Sequence, residues 1–125
     1  MAQDVIVLRR NERSAYGLEE NMTNYVFAYY GTPSFDSRES GSAYMEKWRI
    51  WMHGLGDALV NPGVPLGWAK VVSLSGVSDN ESSPALTGFS IVKADMLEAA
   101  IAMAKACPHL AHGTINVAEA MDMGM

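Results

Sequence analysis

Two histidines near the end of the chain are the residues whose type and spacing most readily suggest chemistry. His109 and His112 form an H-x-x-H pair, and imidazole nitrogens bind zinc and exchange protons near neutral pH. No cysteine or carboxylate stands at a matching spacing, so we predict neither a metal site nor a cofactor. General acid–base catalysis by either histidine is one interpretation. The other places them at the C-terminal end of a helix, whose partial negative charge favours a protonated imidazole.

A second group of candidates recurs at helical spacing within one predicted helix. Glu46, Arg49 and His53 would form a polar stripe, from which Arg49 is suited to hold a ligand carboxylate by a forked contact. Trp48 and Trp51 would line an aromatic binding cleft. The alternatives are a solvated helix face for the polar stripe and a place in the hydrophobic core for the two indoles.

The single cysteine cannot form an internal disulfide. Cys107 is predicted to lie at a helix end, where the helix dipole raises the pKa of a thiol, so a small buried hydrophobic residue is the expected role. The chain contains no glycine-rich phosphate loop, no G-x-S-x-G and no H-E-x-x-H. Those absences disfavour nucleotide binding and the common hydrolase mechanisms.

Composition and charge restrict the class of protein further. The chain has 125 residues, 49% of them hydrophobic, and a net charge of −5. That length and composition predict one globular domain, and the negative charge disfavours nucleic acid and anionic membranes as partners. No apolar run approaches the roughly 20 residues that span a bilayer. The short apolar stretch at residues 5–8, between Asp4 and several arginines, does not resemble a secretory signal. We therefore expect a cytoplasmic protein.

The elements that must position these residues follow from hydrophobic periodicity. Residues 1–23 show little periodicity and are predicted to be an N-terminal extension, and the domain is predicted to cover residues 24–123. Alternating or continuous apolar runs predict strands at 24–30, 68–74, 86–93 and 114–121, and the segments 61–67 and 76–84 are expected to be connections. Helices are predicted at residues 39–55, capped by Ser37 or Ser40, and from Asp95 to Pro108, with Asp95 and Glu98 as a capping box.

The order β-α-β-β-α-β is that of a ferredoxin-like α+β fold, in which two helices cover one face of a four-stranded antiparallel sheet. Apolar residues occur on both faces of the predicted strands: Tyr25, Phe27 and Tyr29 alternate with Val26 and Ala28. Since the helices cover only one face, the other face is expected to be buried by a second copy of the chain. The sequence thus predicts a homodimer.

In its order of segments the chain resembles the YCII-related family, in the branch named after an Asp-Gly-Pro-Phe motif. The similar segments are KWRIWMHGL, PLGWAKVVS, SGVSD, LTGFSIVKAD, LEAAIAMAKACPHL and GTINVAEAM. Together they cover about residues 24–123 and leave the first 23 residues without a counterpart. The resemblance implies a dimeric α/β barrel, in which two ferredoxin-like units join their sheets and form a cleft near the interface.

The same resemblance points to Asp79, because Ser78 and Asp79 fit the start of the family motif. The chain departs from the motif immediately afterwards, since Asn80, Glu81 and Ser82 replace Gly-Pro-Phe. It also has no histidine near the start of the first predicted helix, where enzyme-like members carry one. Asp79 is therefore a candidate catalytic carboxylate, and a turn-capping residue is the alternative.

Two functional hypotheses remain. The first is a domain that binds a small molecule in an interface cleft, with lyase- or isomerase-like acid–base chemistry by Asp79 and His109 or His112. Its ligand-binding residues would be Trp48, Trp51, Arg49 and His53. The second is a non-catalytic accessory or regulatory module that binds another protein. The residue pattern does not decide whether the chain is an enzyme.

Overall fold

The computed structural model describes residues 22–81 and 83–122. The predicted extension at residues 1–23 therefore lies outside the described residues, except for its last two positions. In chain order the elements are β1 (Thr23–Tyr30), α1 (Arg38–Leu55), β2 (Leu59–Asn61), β3 (Lys70–Ser73), β4 (Gly76–Asp79), β5 (Leu86–Ala94), α2 (Leu97–Lys105) and β6 (Thr114–Glu119), with short 3₁₀ turns at Gly56–Ala58 and Pro108–Ala111.

Four strands form an antiparallel sheet in the order β2-β5-β1-β6. The first strand lies at the centre, where Phe27 pairs with Ser90 of β5 and with Val117 of β6. Two helices, four antiparallel strands and this strand order agree with the ferredoxin-like fold predicted from the sequence. The predicted α+β class is thus confirmed for a single chain.

The second strand of the sheet is not the segment that periodicity indicated. It is the three-residue strand β2, which pairs with β5 where Leu59 faces Val92, and it begins before the predicted connection at 61–67. The predicted strand at 68–74 instead contains β3, which pairs only with β4 in a separate two-stranded sheet. Three residues are too few to show the period-two alternation of a strand. The longer apolar run of the hairpin was therefore predicted to be the second strand of the sheet.

The β3–β4 hairpin (Lys70–Asp79) contains the first four residues of the predicted connection at 76–84. Its turn is closed at Gly76, whose φ of 134° is unfavourable for a residue with a side chain. All eight strand residues are exposed. The apolar side chains of the hairpin and its flanks therefore face solvent in the single chain; they are Trp68, Val71, Val72, Leu74 and Val77.

The helix starts show one correct and one incorrect prediction. Ser37 caps α1 by accepting a hydrogen bond from the backbone of Ser40, whose hydroxyl in turn accepts from the backbone N–H of Ser37. Such reciprocal capping satisfies amide groups that the first helical turn leaves unpaired. The capping box predicted at Asp95 is wrong, because α2 begins one residue later than that box requires. Met96 occupies the N-cap position and contributes no side-chain hydrogen bond.

The hydrophobic core lies between the sheet and the two helices. Tyr25, Phe27 and Tyr29 point into it from β1 and are at most 5% exposed, while Trp51 covers them from α1. The buried residues of α2 are Ala100 and Ala104. Leu97, at the start of α2, is exposed. Small alanine side chains let α2 lie close to the sheet.

The opposite side of the sheet, here called the open face, is defined by Val26, Ala28, Phe89, Ile91 and Ala118. The register places Val26 beside Ile91 and Ala118, and Ala28 beside Phe89. The four residues on β1 and β5 are only half-buried. Within the described residues, no helix is long and apolar enough to cross a membrane.

Candidate functional site

A partly open, largely apolar cavity lies between α1, the β2–β3 connection and the 3₁₀ turn at Pro108–Ala111. This space, here called the aromatic cavity, has a volume of about 320 Å³. A volume of this size is typical of small-molecule sites. Its walls include four aromatic residues and one histidine, together with methionines and the segment at 62–65: Tyr29, Tyr44, Trp48, Phe89, His109, Met45 and Met52.

Hydrogen bonds and one close backbone contact hold the wall at residues 62–65 in place. Asn61 accepts a hydrogen bond on its side-chain oxygen from the amide of Gly63 at 2.8 Å, and Leu66 donates to the carbonyl of Thr87 at 3.0 Å. Gly63 has a φ of 74° and lies so close to β5 that a Cβ atom would come within 1.7 Å of the Phe89 oxygen. Only glycine fits this position.

A chain of hydrogen bonds ties the same wall to the sheet. The hydroxyl of Tyr29 donates to Ser90 at 2.8 Å, and Ser90 donates to the carbonyl oxygen of Pro62 at 2.8 Å. Ser90 is fully buried, so this pairing removes the cost of burying its hydroxyl. Burial raises the pKa of Tyr29 well above its usual range. Tyr29 therefore stays a hydrogen-bond donor.

His109 lines the aromatic cavity and has one fixed protonation site. It is 97% buried, its Nε2 lies 2.9 Å from the carbonyl oxygen of Tyr30, and its ring is tilted by 51° against that of Tyr29 with the centroids 5.3 Å apart. Because a carbonyl oxygen can only accept, Nε2 must carry a hydrogen. In the neutral ring Nδ1 is then the proton acceptor. The Nε2 of His109 thus holds the ring in place, and its Nδ1 is suited to act as a base.

His112 lies in a different place from His109. It contacts Tyr44 edge-on at 4.8 Å and Phe35 at 5.2 Å, and it lines an outer cleft with Ser34, Asp36 and Lys47. The outer cleft is larger, about 650 Å³, but most of the residues that form it are exposed. An open, solvated groove confines a small molecule poorly, so we regard the aromatic cavity as the candidate site.

The candidates on α1 separate into three environments. Trp48 lines the aromatic cavity, whereas Trp51 is a core residue whose indole donates to the carbonyl of Met103 at 3.0 Å. Arg49 pairs with Glu46 at 2.6 Å on the exposed side of the helix, and His53 is exposed as well. Arg49 and His53 line neither of the two cavities. An exposed ion pair of this kind contributes little stability.

Asp79 lies far along the hairpin, at the end of β4. It pairs with Lys70 across the hairpin, and both side chains are largely exposed. Asp79 lines neither cavity, so the single chain does not bring the three candidate catalytic residues together. Among the described residues, no group of three or more His, Cys, Asp or Glu side chains is placed to hold a metal ion.

Cys107 is buried beside the site as a free thiol, which confirms its predicted burial. Burial raises the pKa of Cys107 from 9.0 to about 11. The thiol is therefore protonated at neutral pH and is a poor nucleophile. The cause is removal from solvent, whereas the sequence had indicated the helix dipole.

This shift predicts a loss of stability in alkaline solution. As the pH rises above 9, the unfolded chain releases the Cys107 proton while the folded chain retains it until about pH 11, so the free energy of unfolding should fall across that interval by about 2 kcal/mol. Urea denaturation at pH 8, 9 and 10 measures the fall. Cys107→Ala should show a shallower slope, and equal slopes for the two proteins would contradict the assignment.

One residue that lines the candidate site was not predicted from the sequence. Tyr44 was not among the candidate residues, yet it lines both the aromatic cavity and the outer cleft. Its residue type gave no indication of this role, since a buried tyrosine in a helix is ordinarily a core residue. The proline- and glycine-rich segment at 62–65 was predicted only as a connection.

The comparison with known proteins adds no further identification. No model of a known protein family matches the chain, and no curated protein matches its sequence significantly.

Proposed function

We propose that this protein binds a small, flat, largely apolar molecule in the aromatic cavity. The observation that carries the proposal is a cavity of about 320 Å³ whose described walls are aromatic and aliphatic and include the imidazole of His109. Apolar walls with a few fixed polar groups are the usual composition of ligand sites. Small-molecule binding is also what the resemblance to YCII-related proteins implies.

The cavity would be completed by a second copy of the chain. Phe89 lines the aromatic cavity and also belongs to the open face, so a partner lying on that face would border the ligand. Joining two open faces would produce the dimeric α/β barrel of the resembling family. A half-buried apolar face on β1 and β5 is the feature that favours this arrangement.

Acid–base chemistry in this site would depend on His109. The Tyr30 carbonyl holds the ring in place through Nε2, so in the neutral ring Nδ1 carries the lone pair, and such a nitrogen can remove a proton from a bound molecule. His112 faces the outer cleft. A role for Asp79 would need the hairpin of a second copy, because its own chain does not bring it to either cavity. We propose lyase- or isomerase-like chemistry on this basis.

The test uses the three tryptophans as internal reporters. Addition of 2-acetylnaphthalene should shift the indole N–H resonance of Trp48 in a ¹⁵N-correlated NMR spectrum and leave that of the fully exposed Trp68 unchanged. Trp48→Ala should weaken binding by about tenfold because the aromatic wall is lost. Trp68→Ala is the matched control and should bind normally. A shift of Trp68 alone, or no shift at all, would refute the proposal.

A second function is favoured by the hairpin. Its exposed apolar side chains, among them Val72 and Val77, are suited to contact another protein. Under this alternative the chain is an accessory or regulatory module without catalysis. Affinity purification that recovers only the chain itself would argue against it.

The buried free thiol of Cys107 suits a reducing compartment, and we propose a cytoplasmic location.

A further inference from the structure

The strand β6 forms an edge of the sheet that is poorly protected against pairing with another strand. It is the last strand in the order β2-β5-β1-β6, and within residues 22–81 and 83–122 nothing pairs with its outer side. The opposite edge, β2, has only three residues and is followed by Pro62, and short strands and prolines commonly protect a sheet edge. β6 has six residues and no proline, and its one charged residue is the last, Glu119.

The hydrogen bonds between β1 and β6 show which backbone groups of β6 face outward. Ala120 donates to the carbonyl oxygen of Asn24, its partner in the register, and bonded pairs of an antiparallel ladder recur at every second residue. Asn116 and Ala118 are therefore bonded to β1. The backbone N–H and C=O groups of the alternate residues point to the outer side of the sheet, and these residues are Ile115, Val117 and Glu119.

A groove of about 490 Å³ borders this outer side, between β6 and α2. It is lined by the four consecutive residues 115–118 of β6. Because successive side chains of a strand point to opposite faces, a space that touches four of them in a row lies along the edge of the strand. The rest of the lining is apolar except for Lys105, and includes Ile101, Ala104 and Leu110. A groove between a sheet edge and a helix is suited to accept an extended peptide as an added strand.

One segment outside the described residues has the composition that suits this groove. Residues 5–8 read Val-Ile-Val-Leu, and β-branched residues favour an extended strand. The run is preceded by Asp4 and followed by Arg9 and Arg10. An apolar run with an acidic residue before it and basic residues after it can match an apolar groove that has opposite charges at its two ends.

The length of the chain lets residues 5–8 reach the groove. β1 begins at Thr23, and Tyr25 lies opposite Glu119, so the chain enters the sheet beside the end of β6. Residues 9–22 connect the apolar run to β1, and a segment of this length spans up to roughly 45 Å when extended. A strand of six residues is only about 20 Å long. The connection is therefore long enough to place residues 5–8 anywhere along β6.

A direction parallel to β6 satisfies both the connection and the charges. The segment would then be antiparallel to β1, and the connection would pass over the end of β6. Arg9 would lie near Glu119, which is exposed at that end. Asp4 would lie near Lys105, because α2 ends at Lys105 shortly before β6 begins.

We propose that residues 5–8 bind in this groove as a fifth strand of the sheet, parallel to β6, and cover the edge of their own chain. The inference is independent of the aromatic cavity and of its ligand. In this role the segment prevents β6 from pairing with the strands of other chains.

Amide hydrogen exchange of the complete chain, followed by ¹⁵N-correlated NMR, tests the proposal at single residues. The variant carries Ile6→Pro and Val7→Pro, which remove two backbone donors and disrupt an added strand. The outward-facing amides of Ile115 and Val117 should exchange at least about tenfold faster in this variant than in the wild-type protein. The amides that bond to β1 should stay protected in both proteins, which shows that the variant is folded.

Ser14→Pro with Ala15→Pro is the matched control, because it places the same two prolines in the connection to β1. It should leave the protection of the outward-facing amides unchanged, and a loss equal to that of the Ile6→Pro, Val7→Pro variant would overturn the proposal. Rapid exchange of these amides in the wild-type protein would also overturn it, as would protection that persists with prolines at residues 6 and 7. Protection that falls on dilution would assign the cover to a second copy of the chain and overturn binding within one chain.

Reversal of charge tests the direction of the segment. Glu119→Arg should speed exchange at Ile115 and Val117 by about twofold, since exposed ion pairs contribute little. Combining it with Arg9→Glu should restore the wild-type rate. A double variant that exchanges as fast as Glu119→Arg alone would overturn the parallel arrangement.

Discussion

Replacing Gly63 with alanine should lower the free energy of unfolding by about 3 kcal/mol and abolish binding in the aromatic cavity. A Cβ atom at Gly63 would lie 1.7 Å from the Phe89 carbonyl oxygen, so the 62–65 segment must move away from β5. The φ of 74° adds strain for any residue with a side chain. Urea denaturation measures the loss of stability, and titration with 2-acetylnaphthalene measures the loss of binding.

Gly67→Ala is the matched control for this substitution. Gly67 belongs to the same connection, but an added Cβ would meet no atom within 4 Å, so its replacement should change stability by less than about 0.5 kcal/mol. Binding should also be unaffected, since Gly67 does not line the cavity. Equal effects of the two substitutions would show that the close approach of Gly63 to β5 does not hold the cavity wall.

The second large effect is expected when a substitution introduces a charged side chain on the open face, and it concerns the proposed dimer. If two copies join through this face, the wild-type protein should sediment as a dimer at micromolar concentration, and Ile91→Lys should weaken the dimer by at least about 100-fold. Ile91 lies beside Val26 near the middle of the face. A lysine there would be buried in the interface without a counter-charge, and sedimentation velocity measures the change in mass.

Ile50→Lys provides the control for the dimer experiment. Ile50 is 63% exposed on α1, on the helix layer and away from the open face, so the same change of charge should leave the dimer intact. A wild-type protein that is monomeric at tens of micromolar would refute the dimer. So would an Ile91→Lys variant that dimerises as well as Ile50→Lys does.

The fold was largely predictable because its longest elements carry strong periodic signals. In β1 the aromatic residues Tyr25, Phe27 and Tyr29 alternate with smaller ones, and the structure buries those three. The helix α1 was predictable for the same reason, and it begins one residue before the predicted start. Where a segment is long and one face is buried, the side-chain pattern determines both the element and its orientation.

The second strand was not predictable from the same kind of signal. β2 has three residues, and its place in the sheet depends on Leu59 packing against the core and on pairing with β5. Both are tertiary contacts between segments distant in sequence. The hairpin from Lys70 to Asp79 has the stronger apolar pattern, yet it pairs with itself. Local pattern alone does not distinguish these outcomes.

The candidate site was predictable in part. Trp48 and His109 were chosen for their chemistry, and both line the aromatic cavity. Arg49 and His53 were chosen by helical spacing, which gives the face of a helix without indicating what that face meets. Tyr44 was missed because its place between the aromatic cavity and the outer cleft depends on tertiary contacts, which the residue type does not reveal.

The position of Tyr44 between two hollows makes its ring a partition. Tyr44 lines both the aromatic cavity and the outer cleft, so the two spaces approach each other at its phenol ring. The size of this one side chain therefore contributes to the separation of the cavity from the cleft.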